Sequence, residues 1–302
     1  MSLMKQLALI GSTASGKSAL ALSLAQKHNA LILSIDSLSI YKEIDIASAK
    51  PSRDELARIE HFGINTLAPD ETATVFTFID EYHRAHEAAT LQKKNLILVG
   101  GSSFYLKSMV DGLSYVPTIT DETKAIAAEM LRDQEGAYLY LSQIDPLTMD
   151  KITPNDSYRI EKMLHLTLQT STPPSQWFEA HPPKGIITHC PILNIDIDRA
   201  HLRERIALRT HTMAQEGLID EVAELERLYG RTPNSMKAIG IIETLEFLDG
   251  KITKQKLLED ISTHTAQLAK RQQTFNTNQF ALHAKGGVEE LYVIATTILT
   301  HP

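Results

Sequence analysis

The sequence predicts an α/β protein: a parallel sheet flanked by helices, with an all-helical insertion domain. Short runs that are apolar on both faces alternate with amphipathic stretches through about the first 115 residues, the pattern of strands buried between helix layers. After Pro117 only helix-period segments follow, until Ile192–Ile195 returns the chain to strand character. A glycine-rich turn, GSTASGKS at 11–18, joins the first apolar run to the first helical stretch and marks the edge of the sheet where ligands collect.

Element by element, Leu7–Ile10 is the first expected strand and Lys17 to His28 the first helix. Leu31–Ile35 and Leu96–Val99 are further strands, with a helix from Phe76 to Leu91 between them. Asp121–Gln134 and Asn155–Gln169 follow as helices, the second with Asn155 or Asp156 as its N-cap. Proline-rich loops at Ser171–Pro174 and His181–Pro183 then break the chain. Beyond Arg199, helical faces are spelled by Leu202, Ile206 and Met213, by Leu218, Val222 and Leu225 after Gly217, and by Leu257, Ile261 and Leu268. The expected domains are a core of 1–116 with 190–302 and a helical insertion of 117–189. Met1-Ser2-Leu3 ahead of Met4 reads as an added leader.

With 43% hydrophobic and 22% charged residues among 302, the chain has the composition of a soluble globular protein. No apolar run approaches the roughly 20 residues that span a bilayer, and the N-terminus lacks the plan of a signal peptide, so no membrane association is expected. The single cysteine, Cys190, excludes a disulfide framework and a cysteine-based zinc site and makes the cytoplasm the expected compartment. A net charge of −7 opposes general nucleic-acid affinity but leaves room for a local basic face.

Gly11-x-x-x-x-Gly16-Lys17-Ser18 fits the pattern in which backbone N–H groups and a helix N-terminus surround an anion, Lys17 adds a point charge and Ser18 ligates Mg²⁺, the alternative being a glycine-rich turn with no ligand. The pattern specifies a polyphosphate rather than a nucleotide, and with its flanking strands it makes the core P-loop NTPase-like. Nucleotide-hydrolysing relatives of this pattern hold Mg²⁺ through an acid ending a second strand. Here Leu96–Val99 ends in Gly100-Gly101, with no acid. Leu31–Ile35 does end in one, Asp36, which a parallel sheet places beside the cradle. It is a candidate general base on an acceptor, a candidate indirect Mg²⁺ ligand, or a turn cap.

Several further stretches resemble one family, the tRNA dimethylallyltransferases. They are SIDSLSIYKEIDIASAKP at 34–51, LVGGSSFYLKSMVDGL at 98–113, NDSYRIEKML at 155–164, DRAHLRERIALR at 198–209, GLIDEV at 217–222, SMKAIGIIETLEFLDG at 235–250 and THTAQLAKRQQTF at 263–275. With the P-loop they cover nearly the whole chain in the family's order. The resemblance implies transfer of a dimethylallyl group from dimethylallyl diphosphate to N6 of the adenine 3′-adjacent to the anticodon of tRNA, with Mg²⁺ as cofactor and a monomer as the expected state. It implies that Gly11, Ser12, Thr13, Ala14, Ser15, Gly16, Lys17 and Ser18 hold the diphosphate, joined by Lys237, with Asp36 as general base and Thr13 beside the reacting atoms. Contacts to tRNA are implied for Asp36, Ser37, Leu38, Ser39, Ser102, Arg159 and Lys162.

The sequence departs from the family pattern at several points. Ser12 stands where proline is usual, Ser102 where threonine is usual, Ser39 where glutamine is usual, and Ala266 where arginine is common. Lys237 stands where some members carry an arginine, and lysine does not reproduce its bidentate contacts. Arg159 and Lys162, three apart, share a helix face that is either an RNA contact or a solvated surface. Arg199, Arg203, Arg205 and Arg209 either close over the diphosphate or pair with nearby acids. Trp177 reads as packing before base stacking, and His83 with His86 lacks a third metal ligand. Two rival readings use other ligands: a P-loop kinase with ATP in the cradle, and an RNA-binding or GTP-dependent switch, which lacks the Asn-Lys-x-Asp motif.

Overall fold

The computed structural model describes residues 4–300; Met1-Ser2-Leu3, the stretch that reads as a leader, lies outside the described residues. Its contacts divide the chain into two compact units, Met1–Lys107 with Thr188–Pro302, and Ser108–Ile187.

In the first unit, β1 (Gln6–Gly11) runs into α1 (Lys17–Lys27), followed by β2 (Ala30–Ser34), α2 (Arg53–Arg58), β3 (His61–Phe62), α3 (Val75–Gln92), β4 (Asn95–Gly100) and α4 (Ser103–Asp111), whose last turn passes into the second unit. The second unit adds α5 (Asp121–Met130), α6 (Gln134–Ile144), α7 (Pro146–Met149), α8 (Ser157–Thr170) and α9 (Pro174–Ala180). The chain then resumes with β5 (Ile192–Ile195), α10 (Arg199–Glu216), α11 (Leu218–Tyr229), a 3-10 turn at Asn234–Lys237, α12 (Ile241–Leu248), α13 (Lys254–Gln279), β6 (Ala284–Gly286) and α14 (Val288–Thr300).

The sheet order is β3-β2-β4-β1-β5-β6, and every neighbouring pair is parallel, with Leu9 opposite Val99 and Gly11 opposite Ile195. Both faces are covered, which is why these strands read as unbroken apolar runs. Leu7, Leu9, Ile32, Ile97 and Leu193 pack with Leu20 and Leu24 of α1 and with Leu291 and Leu299 of α14. The alternate residues Ala8, Ile10, Leu31, Leu33 and Leu98 therefore face the other side, where they are equally buried. Close strand spacing needs Gly100: a Cβ there would lie 2.6 Å from the backbone of Ile35.

The second unit has its own core of Ala127, Ala137, Leu141, Met149, Ile152, Ile160 and Leu164. Asp156, rather than Asn155, caps α8, accepting from Arg159 N at 3.1 Å. The single helix expected over Asp121–Gln134 is two, because Asp133 turns to accept from Gly136 N and starts α6. The loop expected at Ser171–Pro174 starts α9, since proline suits the first turn of a helix, whose N–H groups lack partners anyway. The unit begins nine residues before the expected boundary, at Ser108 rather than 117. Met109 O accepts from Ile186 N at 2.8 Å and Ile187 N at 3.1 Å, which ties the end of α4 to the returning chain. Among the described residues no helix is long and apolar enough to cross a membrane.

Candidate active site

The carboxyl ends of β1, β2 and β4 deliver the loops of the site, all in the first unit. β1 ends at Gly11 and the chain wraps back through Ala14 at φ 60° and Gly16 at φ 101° before α1 starts at Lys17. This left-handed geometry turns successive N–H groups inward. The hydroxyls of Ser12 and Ser15 are buried without a hydrogen-bond partner among the described residues, an arrangement suited to an anion. Lys17 is 8% exposed and its Nζ donates to Ser12 O at 2.6 Å. Burial pushes its ammonium down to about pKa 8, with Asp36 opposing the shift and Arg209 adding to it.

α10 crosses this cradle. Arg209 donates to Thr13 Oγ1 at 3.2 Å and Arg205 reaches Ser15 O at 3.5 Å; four residues apart, they share a helix face. Burial lowers the Arg209 pKa while Asp36 opposes that shift. Of the four arginines considered for a lid, two therefore face the cradle. Arg199 and Arg203 instead line a separate cavity with Ala266 and Lys270.

The cradle opens into a cavity of about 360 Å³ lined by Thr13, Lys17, Ser18, Asp36, Arg205 and Arg209, among others. A second, more apolar cavity of about 590 Å³ has Phe104, Tyr105, Ile206, Met213, Leu268 and Phe275 in its wall. Thr13, Asp36, Ser48, Gly101, Arg209 and Gln272 line both. The cradle space and an apolar space thus meet at one carboxylate, Asp36, and two hydroxyls, Thr13 and Ser48.

Asp36 lies two residues beyond the end of β2. Its Oδ1 accepts from Leu38 N at 2.9 Å and Ser39 N at 3.2 Å, which is the turn-capping geometry. Oδ2 accepts no hydrogen bond among the described residues. The turn therefore aims the carboxylate while leaving one oxygen for chemistry, so the cap and the cavity carboxylate are the same group in two roles. Ser102 Oγ accepts from Ser37 N at 3.1 Å, tying the end of β4 to this turn.

Ser37, Leu38 and Ser102 line the larger cavity, whereas Ser39 is buried against the smaller one. Lys237, expected with the diphosphate group, lines the larger cavity and not the cradle. The 3-10 turn that carries it directs Nζ to Asn234 Oδ1 at 3.4 Å. In the second unit Arg159 pairs with Asp156 and Lys162 sits 5.3 Å from the Tyr158 ring, both on an exposed face of α8. Trp177 stacks on His181 at 4.1 Å and donates to Tyr115 O at 2.8 Å, a packing arrangement.

Ser18 and Asp36 supply hard oxygens to the cradle cavity, and among the described residues no three His, Cys, Asp or Glu side chains cluster to hold a metal. That set fits Mg²⁺, which takes one or two protein oxygens and completes its shell with phosphate and water.

Sequence reasoning gave Gln272 no role, although its segment was singled out. Its Oε1 accepts from Thr13 N at 2.8 Å and its Nε2 donates to Gly101 O at 3.0 Å, so α13 buttons the phosphate loop to the end of β4. Below it Asn276 is fully buried, its amide set to accept from Gly11 N at 3.3 Å and donate to Ser103 Oγ at 2.6 Å. Replacing Gln272 with alanine is expected to raise the Michaelis constant for the substrate held in the cradle by about fivefold to 100-fold, the worth of two such hydrogen bonds. Steady-state kinetics at fixed enzyme concentration measure it, and an unchanged constant would show that the bridge does not shape the cradle.

A parallel sheet with this cradle after its first strand, no acid after β4 and two arginines over the loop defines an α/β protein of P-loop NTPase-like fold. The IPP transferase family profile matches residues 39–279. The tRNA dimethylallyltransferase of Sulfurovum sp. is 53% identical over 95% of this chain and 96% of its own length, and that of Sulfurimonas denitrificans 52% identical over 98% and 100%. A crystal structure of a eukaryotic dimethylallyltransferase acting on tRNA superposes with a TM-score of 0.80 at 26% identity, over 93% of this chain and 74% of that one. The chain belongs to the IPP transferase family and is a prenyl-transferring enzyme.

Proposed function

We propose that this enzyme transfers the dimethylallyl group of dimethylallyl diphosphate to N6 of the adenine 3′-adjacent to the anticodon in tRNA, releasing diphosphate. The observation that carries the reading is the meeting of the anion cradle and the apolar cavity at Asp36 and Thr13. The names of relatives about half identical over nearly the whole chain support the same substrates.

In this reading the P-loop amides, Lys17, Arg205 and Arg209 hold the diphosphate and stabilise the charge that grows on it as the carbon–oxygen bond breaks. Ser18 would hold Mg²⁺, which would supply further positive charge to the departing diphosphate. N6 of the adenine forms the new bond to carbon, and its proton passes to Oδ2 of Asp36. The turn through Ser37, Leu38 and Ser39, with Ser102, contacts the base that has left the loop stack, which is cheaper from a single-stranded loop than from a duplex. Arg159 and Lys162 contact tRNA phosphates and position the anticodon loop. The enzyme acts as a cytoplasmic monomer.

Incubation of the protein with labelled dimethylallyl diphosphate and unmodified tRNA is expected to give labelled tRNA, and ATP with small hydroxyl acceptors to give no product. A phosphorylated acceptor, or tight ATP binding with none of the five-carbon donor in calorimetry, would put the kinase reading in its place.

A further inference from the structure

The loop after Asp36 forms part of the wall of both cavities: Ala47 and Ser48 line the apolar one, and Ser48, Ala49 and Pro51 the cradle. Yet its backbone belongs to no helix or strand, and Ala49 sits at φ 47°. It is held from outside by α11. Glu221 accepts from three consecutive amides, with Oε2 taking Asp45 N at 2.9 Å and Ile46 N at 2.7 Å and Oε1 taking Ala47 N at 2.9 Å. Three adjacent N–H groups converging on one carboxylate form an anion nest, here filled by the protein's own side chain. At the other end of α11, Tyr229 donates to the Glu43 carboxylate at 3.0 Å. The helix itself is anchored by the buried Leu218, Val222 and Leu225, so the carboxylate beside Val222 is a fixed point.

The charge arrangement has one polarity. Lys50 Nζ donates to Tyr41 O at 2.5 Å and Asp45 Oδ1 at 2.8 Å, and Glu221 helps to keep its ammonium charged against the effect of burial. A neutral amide at 221 would present an NH₂ group to some of these N–H donors, leaving part of the nest without an acceptor. Ser48 depends on the same loop path, its hydroxyl donating to Ile44 O at 2.5 Å.

We infer that Glu221 is a positioning residue for the transfer reaction: by filling the nest at Asp45–Ala47 it sets the wall that the prenyl diphosphate and the RNA base share. The inference rests on the proposed function for the identity of the substrates, and on the geometry alone for the position of the loop.

The test compares the full-length protein with Glu221→Gln, Glu221→Ala and Glu221→Asp. Glu221→Gln is expected to raise the Michaelis constants for dimethylallyl diphosphate and tRNA by about tenfold while leaving kcat within about threefold, the effect of a misplaced wall on an intact base. Glu221→Asp, which keeps the charge, is expected to recover most of the loss. Amide hydrogen exchange at 45–47 is expected to quicken in the Gln and Ala variants at temperatures well below melting. Binding of inorganic diphosphate by calorimetry is expected to weaken in step, a readout that needs no transfer chemistry. If wild type fails to prenylate tRNA, the proposed function falls while the exchange and diphosphate measurements still judge Glu221. Unchanged exchange and unchanged affinities in Glu221→Gln overturn the inference, as does a loss of activity that follows only a lowered melting temperature.

Discussion

Asp36→Asn is expected to lower turnover by about 10²–10⁴-fold, the usual contribution of a positioned general base, with tRNA affinity little changed. The amide keeps an oxygen for the N–H groups of Leu38 and Ser39, so the turn survives, but it accepts no proton in place of Oδ2. Asp36→Ala is expected to lose at least as much and to loosen the turn as well. Single-turnover rates with saturating tRNA separate the two effects. Near-normal chemistry in Asp36→Asn would rule out the base role, because the variant differs from wild type in proton affinity more than in shape.

The second large effect belongs to Lys17. Lys17→Ala is expected to raise the Michaelis constant for dimethylallyl diphosphate by about 10- to 100-fold, the worth of a charged hydrogen bond in a buried site, and to affect tRNA affinity far less. The same residue predicts a pH dependence. In the free protein its ammonium loses its proton as pH rises through about 8, so the cradle loses a positive charge there. kcat/KM for the donor is therefore expected to fall above about pH 8, and Lys17→Arg, which stays charged, to move that limb to higher pH. Stability runs in the opposite direction. Between about 8 and the ordinary lysine value of 10.5 the unfolded chain binds more protons at this position than the folded one, so this residue makes folding more favourable as pH rises. A pH profile unchanged by Lys17→Arg would remove Lys17 from the titration.

Much of this was legible in the chain. The four longer parallel strands were readable because both-face burial writes itself as continuous apolar runs, and the cradle because its backbone geometry needs glycine and lysine at set spacings. The two short strands were not: His61–Phe62 and Ala284–Gly286 have too few residues to show a period, and they exist because a neighbouring strand pairs with them. The arginines of α10 show the same division. Their sequence says only that they lie on a helix, and the crossing of that helix over the P-loop selects Arg205 and Arg209. Gln272 contacts Thr13 across 259 residues, and Glu221 contacts Asp45 across 176.

The sequence by itself determined that this protein has a parallel α/β core, a glycine-rich turn of P-loop pattern and an acid at the end of the neighbouring strand, since each of these is encoded within a few adjacent residues. Only the tertiary structure decided which cations face the cradle, that Lys237 faces the apolar cavity, and that Asp36 caps a turn with one oxygen and keeps the other for the site. The physical reason is range: backbone geometry and burial period are local properties, whereas the meeting of side chains remote in sequence follows from how whole helices pack.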